Sequence, residues 1–225
     1  MARLSGSDDS RLALDAPVNE SAAARARLYA LFAEALSFPT AEFLTRLSKG
    51  SWWEEFRSAS GQQPHDPAEA APGLQSIESS WDLSTLARDY SGLFDVGSGR
   101  PRISLLARRY VDTPEQALWQ ELLAFYAHFG LDFARGHAAE QPDHLLTELA
   151  FMHYLCFLEA ASDSDNAGLT RGQADFLERH LVPLCGGVGD RLPAIELPAP
   201  YGFCLTELVR FVARDMAALA AAGRN

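Results

Sequence analysis

The residues best suited to chemistry lie in one short stretch, Gln141-Pro142-Asp143-His144, followed by Glu148. Aspartate, histidine and glutamate can hold a metal ion or transfer protons when other groups complete the site. We expect Asp143 and His144 in the first turn of a helix, where free backbone N–H groups favour a carboxylate. His144 and Glu148, four residues apart, would share a face. The simpler interpretation is a helix cap beside a solvent-exposed His–Glu pair.

Charge is unevenly distributed along the chain. Six acidic residues and no Lys or Arg fall between Gly136 and Thr170. Four arginines without an acid fall within ten residues further upstream, namely Arg100, Arg102, Arg108 and Arg109. Either pattern is typical of an ordinary solvated surface. A negative helix bordered by apolar side chains is also a surface that a cationic amphipathic peptide would bind.

A third stretch, residues 89–94, ends in Leu93 and Phe94 and leads into a turn that contains glycine and Pro101. The simplest interpretation is a helix end that packs two large side chains into the core.

Other catalytic and cofactor motifs are absent from the sequence. The three cysteines form no Cys-x-x-Cys pair, and no Gly-Lys-Ser/Thr phosphate loop occurs. Gly186, Gly187 and Gly189 are interpreted as a flexible turn, too short for dinucleotide binding. We therefore predict no catalytic residue, no metal ion and no cofactor.

Net charge and hydropathy restrict the partners. The chain carries 19 basic and 30 acidic residues, a net charge of −11, which repels nucleic acid. Its longest nearly charge-free apolar run, residues 149–158, is about half of what a bilayer span needs. The first twenty residues contain three aspartates and no apolar run typical of a signal peptide. We expect a cytoplasmic protein that binds no nucleic acid and does not insert stably into a membrane.

The spacing of apolar residues predicts that the candidate site residues are positioned by helices. Apolar residues recur three and four apart in five stretches, residues 20–37, 82–93, 115–129, 142–161 and 201–222. Asn19, Thr113 and Thr170 are predicted to begin helices. No stretch alternates with period two, so strands have little support. We predict a single all-α domain over residues 19–225, a bundle of about eight to ten helices, after a mobile segment 1–18.

Four motifs of this chain resemble those of one family, the TorD/DmsD/NarJ redox-enzyme maturation chaperones. They occur in the order and rough spacing of that family, from about Asn19 to Ala218. The motifs are Asp89-Tyr90-x-x-Leu93-Phe94, a glycine- and proline-containing loop, Gln141-Pro142-Asp143-His144 at a helix start, and His180-Leu181-Val182-Pro183. The arginine-rich loop around Pro101 is most similar to chaperones that serve type II dimethyl sulfoxide reductase-family enzymes, such as ethylbenzene or dimethylsulfide dehydrogenases.

The resemblance implies an all-helical cytoplasmic chaperone dedicated to one molybdenum enzyme. Such a protein holds the catalytic subunit of a molybdenum oxidoreductase, often through its twin-arginine signal peptide, until the molybdopterin cofactor is inserted. The client-binding residues that the resemblance implies are Tyr29, Trp81, Leu93, Phe94, Asp143, His144 and Glu148.

The chain departs from the family pattern at two places. The usual Glu-Pro-acid-Asp-His motif reads Glu140-Gln141-Pro142-Asp143-His144 here. Aromatic residues that often follow the Pro101 loop and Pro183 are replaced by Ile103, Leu105 and Leu184. We therefore expect client recognition to depend less on aromatic stacking.

The same residues are also compatible with two other classes of function. A helical metal-dependent enzyme would use Asp143, His144 and Glu148 as ligands or acid–base groups, and stoichiometric metal in the purified protein would favour it. A regulatory adaptor would use the same helical surface to bind a protein partner without a signal peptide or a cofactor.

Overall fold

The computed structural model describes residues 19–61, 82–95, 100–131, 141–162 and 166–222. Within these ranges the chain forms no β-strand, and one isolated antiparallel bridge joins Leu106 to His144. The nine α-helical segments of this part of the chain confirm the predicted all-α bundle of eight to ten helices. They are α1 (Glu20–Ala35), α2 (Ala41–Ser48), α3 (Ser51–Ser60), α4 (Leu83–Phe94), α5 (Glu115–His128), α6 (Leu145–Ala160), α7 (Ala167–Phe176), α8 (Val182–Gly189) and α9 (Tyr201–Ala222). The segment 1–18, predicted to be mobile, lies outside the described residues.

Short polar side chains begin three of these helices. The side-chain oxygen of Asn19 accepts a hydrogen bond from the backbone N–H of Ala22 at 3.1 Å, as predicted for the start of α1. Thr40 and Asp82 cap α2 and α4 in the same way. Each such cap stabilises its helix by about 1 kcal/mol.

Two predicted helix starts are wrong. α5 has Pro114, not Thr113, at its cap position. α7 starts at Ala167, so Thr170 lies inside the helix rather than before it. Gln173, the predicted partner of Thr170 in a capping box, hydrogen-bonds in the core instead. The side-chain amide of Gln173 therefore binds the buried carboxylate of Glu159, and it does not cap the start of α7.

Helices α1 and α6 pack along each other at the centre of the bundle. Aromatic rings fill the space between α1, α3 and α9, where Phe32 lies 5.7 Å from both Phe56 and Phe211 between ring centroids. Burying each such side chain stabilises the fold by about 1.5–3 kcal/mol. None of the described helices is both long and apolar enough to cross a membrane.

A buried polar cluster ties α1, α6, α7 and α9 together. This Arg25 cluster consists of Arg25, Tyr29, Glu159, Gln173 and Asp215. The Arg25 guanidinium donates to Asp215 at 2.5 and 3.1 Å, to Glu159 at 3.1 Å and to Gln173 at 2.5 Å. The Tyr29 hydroxyl donates to Asp215 at 2.6 Å. Because each charged group in the cluster has an opposite charge or a hydrogen-bond partner, the charges are satisfied inside the core.

Helices α7 and α8 are joined without a break by a π-helical turn, Leu177–Leu181. Pro183 follows this wider turn closely, and proline lacks the N–H that a regular helix would use there. The stretch 186–189, predicted to be a flexible turn, is the end of α8. A Cβ at Gly187 would lie 2.4 Å from the ring of Tyr110, and one at Gly189 would lie 3.2 Å from Val209. These two glycines therefore permit close packing.

Candidate functional site

Most of the predicted site residues meet where the segment 100–111 packs between the end of α4 and the start of α6. We call this region the α4–α6 junction. Ile103 and Leu105 of the segment are buried. The N–H of Ile103 donates to the carbonyl of Leu93 at 3.0 Å, and the N–H of Leu145 donates to the carbonyl of Leu105 at 2.7 Å. Backbone hydrogen bonds therefore join the segment to both helices.

Asp143 is the buried centre of the junction. Its carboxylate accepts hydrogen bonds from Nη1 of Arg108 at 2.7 Å, from the backbone N–H of Arg108 at 3.2 Å and from the indole N–H of Trp119 at 2.8 Å. The Arg108 guanidinium also lies over the Trp119 ring, 5.7 Å from its centroid. Charge-assisted bonds of this kind are strong. Asp143 thus attaches α5 and the segment 100–111 to the start of α6.

His144 caps α6. Its Nδ1 accepts a hydrogen bond from the N–H of Leu146 at 3.2 Å, and the helix begins at Leu145. The predicted cap is therefore confirmed, but Asp143 and His144 precede the first turn instead of lying in it. The His144 ring is half-buried, so solvent reaches this part of the junction.

Glu148 is a buried acid. Its side chain is 0% exposed, and neither carboxyl oxygen has a hydrogen-bond partner among the described residues. Burial raises the pKa of Glu148 well above its usual range, and the charge of Asp143 raises it further. The predicted solvent-exposed His–Glu pair is therefore wrong, because α6 is covered on this face as well. Burial at this place therefore favours the protonated, uncharged form of Glu148.

Leu93 and Phe94 form the apolar side of the junction. Both are buried, and the Phe94 ring lies 4.9 Å from Tyr90 and 5.9 Å from Tyr201 between centroids. The interpretation of this stretch as a helix end packed into the core is confirmed. In this conformation both side chains are therefore closed to a partner.

Of the implied client-binding residues, Tyr29 lies away from the junction. Tyr29 is 0% exposed and belongs to the Arg25 cluster, so it faces the core and not a surface groove. Trp81 lies outside the described residues. Within the described ranges, no group of three or more His, Cys, Asp or Glu side chains is arranged to hold a metal ion.

Sequence reasoning missed a cleft between α5 and α7, with a volume of about 590 Å³. Phe125 and Phe129, which the helical pattern places on the core-facing side of α5, line it. A Cβ at Gly172 of α7 would lie 2.4 Å from Cζ of Phe129, so this glycine allows the ring to lie against α7. A glycine inside a helical stretch is the sequence signal for such a close approach.

His180 of the π-helical turn lies beside this cleft, between the rings of Phe125 and Phe176 at 5.3 and 5.2 Å. Burial lowers the pKa of His180 to about 4, and the positive charge of Arg179 contributes to the decrease. The ring is therefore neutral at physiological pH, and it packs as an aromatic side chain of the core.

Residues 62–188 match the family model of the nitrate reductase delta subunit. The chain belongs to the nitrate reductase delta subunit family. This membership confirms the resemblance to the NarJ-type chaperones. The range that matches the delta subunit family contains the α4–α6 junction and the cleft between α5 and α7. Arg25, Tyr29 and Asp215 of the Arg25 cluster lie outside that range.

Relatives of this delta-subunit family member are assembly chaperones by name. The chain is 36% identical over 130 residues to the selenate reductase assembly chaperone protein of Thauera selenatis, which covers 56% of this chain and 67% of that protein. It is 34% identical over 185 residues to the dimethyl sulfide dehydrogenase assembly chaperone protein of Rhodovulum sulfidophilum, covering 75% and 70%. A proposed redox enzyme maturation protein from Archaeoglobus fulgidus is similar in structure, with a TM-score of 0.47 and 17% identity over 84% of this chain and 93% of that chain.

Proposed function

We propose that this protein is an assembly chaperone of a molybdenum oxidoreductase. It holds the catalytic subunit in the cytoplasm, without turnover of its own, until the molybdopterin cofactor is inserted. The observation that carries the proposal is the similarity, over as much as 75% of the chain, to proteins named as assembly chaperones. The names of these relatives refer to selenate, chlorate and perchlorate reductases and to dimethyl sulfide dehydrogenase.

The geometry of the junction favours binding over catalysis. The carboxylate of Asp143 is engaged by Arg108 and Trp119, and Glu148 is wholly buried. A metal centre or an acid–base pair would need these groups to reach a ligand. Asp143 instead holds the segment 100–111 in place, as expected for a protein that presents a surface to a partner.

Co-expression tests the proposed function. The catalytic subunit of a molybdenum oxidoreductase encoded in the same genome is produced with and without the chaperone. The molybdopterin content of the purified subunit is then measured by the fluorescence of its oxidised form. We expect a severalfold loss of cofactor without the chaperone, whereas equal cofactor content in both preparations would contradict the proposal.

We further propose that the twin-arginine signal peptide of this subunit binds at the α4–α6 junction. The side chain of Arg108 is 16% exposed, so the ion pair with the buried Asp143 lies next to solvent. An arginine of the peptide displaces Arg108 from Asp143. As the segment 100–111 moves, apolar residues of the peptide pack against Leu93 and Phe94, beside His144.

Two substitutions test this exchange of arginines. Asp143→Asn removes the charge for which both arginines compete and should weaken peptide binding at least about tenfold. Arg108→Gln removes the competitor and should strengthen binding. Arg88→Gln changes an arginine of α4 whose side chain is 72% exposed, and it is the matched control. Calorimetric titration with the synthetic peptide measures all three; an unchanged affinity of Asp143→Asn or a weaker one of Arg108→Gln would rule out the exchange.

A further inference from the structure

A pocket rich in arginine lies along the segment 100–111. It has a volume of about 160 Å³, and we call it the arginine pocket. The residues that line it are Arg100, Pro101, Arg102, Ser104, Arg109, Tyr110 and Arg191. In the part of the chain that the structure describes, none of the four guanidinium groups forms an ion pair or a hydrogen bond. A chain with a net charge of −11 thus concentrates unneutralised positive charge at one place.

The backbone of the segment directs these side chains outward. Because Ile103 and Leu105 are buried, the residues that alternate with them, Arg102 and Ser104, lie on the opposite side. The Tyr110 hydroxyl donates to the carbonyl of Ser104 at 2.8 Å and accepts from its N–H at 3.0 Å. These two hydrogen bonds close the segment into a loop and bring its two arginine-bearing ends together.

Arg191 reaches the pocket because two elements approach closely. Gly187 of α8 lies against Tyr110, where a Cβ would stand 2.4 Å from ring atoms Cγ and Cδ1. The backbone then turns, and the N–H of Arg191 donates to the carbonyl of Val188 at 2.9 Å. Burial raises the pKa of Tyr110, while its backbone hydrogen bond and the charge of Arg191 oppose the increase. The charge of Arg191 therefore lies close to the Tyr110 ring.

Adjacent arginines of the segment have opposite environments. Arg108 is turned inward and pairs with Asp143, whereas Arg109 is exposed and lines the pocket. Four like charges around a small space repel one another, and an anion that bridges them removes the repulsion. Each guanidinium presents a planar fork of N–H donors that matches the oxygens of phosphate or carboxylate groups.

The size of the pocket limits the anion. Its volume is that of roughly five water molecules in the liquid, which accommodates one or two phosphoryl groups but no peptide segment. Phosphoryl groups also bring more negative charge into this volume than a single carboxylate does. The combination of four cations and little space therefore favours a small ligand of high charge.

We propose that the arginine pocket binds a compact anion of the phosphate or diphosphate class. This site goes beyond the proposed chaperone function, which needs a protein client alone. It is also distinct from the cationic peptide site, because an arginine-bearing peptide is repelled by the pocket and attracted by Asp143. The segment 100–111 therefore contributes to two sites for ligands of opposite charge.

Calorimetric titration of the whole protein with inorganic pyrophosphate tests the site. The wild type should bind, and the double variant Arg102→Gln/Arg191→Gln should bind at least about tenfold more weakly. The matched control is Arg57→Gln, which removes an exposed arginine of α3 and should bind like the wild type. Absence of binding by the wild type, or equal weakening in Arg57→Gln, overturns the proposal.

A second variant tests the architecture of the pocket without changing its charge. Gly187→Ala forces Tyr110 away from α8 and should weaken pyrophosphate binding, while circular dichroism reports retained helicity. Wild-type affinity in Gly187→Ala would refute the placement of Arg191 in the site. Orthophosphate and succinate define the ligand class, and succinate that binds as tightly as pyrophosphate would overturn the assignment to phosphate.

Discussion

The Arg25 cluster and the α4–α6 junction both bury acidic side chains between helices, but they differ in the partners that they provide for the carboxyl groups. In the Arg25 cluster, Asp215 and Glu159 both accept hydrogen bonds from one guanidinium. At the junction Asp143 has a cationic partner, whereas Glu148 has none among the described residues. A buried acid is stable when it is paired and charged, or when it is unpaired and protonated. The first region is therefore held by its charges, and the second contains a group whose charge depends on pH.

Removing the shared cation should have the largest effect. Arg25→Ala leaves Asp215 and Glu159 buried without a counter-charge and should lower the free energy of unfolding by about 3–5 kcal/mol. Arg27→Ala is the matched control, because Arg27 is 57% exposed and its ion pair with Glu55 spans 3.5 Å. Such surface pairs contribute less than about 1 kcal/mol. Urea unfolding compares the two variants, and similar losses in both would show that the Arg25 cluster does not hold the fold.

The two buried glutamates should respond differently to the same substitution at pH 5. Glu159→Gln removes a charge to which Arg25 is bound and should lower the free energy of unfolding by about 2–3 kcal/mol. Glu148→Gln replaces a protonated acid with a neutral side chain of similar shape and should change it by less than about 1 kcal/mol. Both variants are measured by urea unfolding. An equal loss in both would remove the distinction between the two regions.

Raising the pH should separate the wild type from Glu148→Gln. Below the usual pKa of 4.5 this acid is protonated in the folded and the unfolded chain. Above it, the unfolded chain loses the proton and the folded chain keeps it, so wild-type stability falls until the raised pKa is reached. Relative to Glu148→Gln, we expect a loss of about 1 kcal/mol for each pH unit above 5, up to the raised pKa. Urea unfolding at a series of pH values measures the difference; parallel profiles would mean that Glu148 is ionised in the fold.

A modest loss of stability is expected from removal of the Tyr29 hydroxyl. Tyr29→Phe removes one hydrogen bond to Asp215 and should lower the free energy of unfolding by about 1.5 kcal/mol. Because Tyr29 is buried in the Arg25 cluster, affinity for the signal peptide should not change. Tyr201→Phe is the matched control, since its hydroxyl donates to the carbonyl of Leu86 at 3.1 Å. Loss of peptide affinity in Tyr29→Phe alone would establish the client contact that the family resemblance implies.

The spacing of apolar residues predicts those helices that have one face in the core and the opposite face in solvent. The predicted helix 201–222 is found as α9 with the same ends. The pattern fails at α6, which packs against α1 on one side and against α7 and the π-helical turn on another. The predicted face of α6 is buried, but so is a second row of side chains that includes two acids, namely Glu148, Phe151, Leu155 and Glu159. A helix covered on several sides has no polar face for the pattern to detect.

Sequence order identifies the residues of the junction but not their partners. Arg108 and Trp119 are 35 and 24 residues away from Asp143 along the chain. Side chains that pair over such distances along the chain follow no regular spacing, so a single sequence does not predict the pairs. The sequence shows that four arginines lie close together in residues 100–109. It does not show that Arg108 turns inward to Asp143, or that Arg191 approaches through the contact between Gly187 and Tyr110. The pairing of Arg108 with Asp143 and the gathering of the four arginines therefore follow from the fold.

The π-helical turn Leu177–Leu181 sets the rotation of α8. Buried residues recur every four positions through α7, this turn and α8, in the rows Gln173, Leu177, Leu181, Cys185 and Phe176, His180, Leu184, Val188. In a regular α-helix a spacing of four drifts by about 40° around the axis at each step, and the extra residue of a π-turn reverses part of that drift. Deleting one residue here should rotate α8 by about 100° and carry Gly187 away from Tyr110. An insertion or a deletion in this turn should therefore disturb the packing of α8 more than an exchange between apolar side chains does.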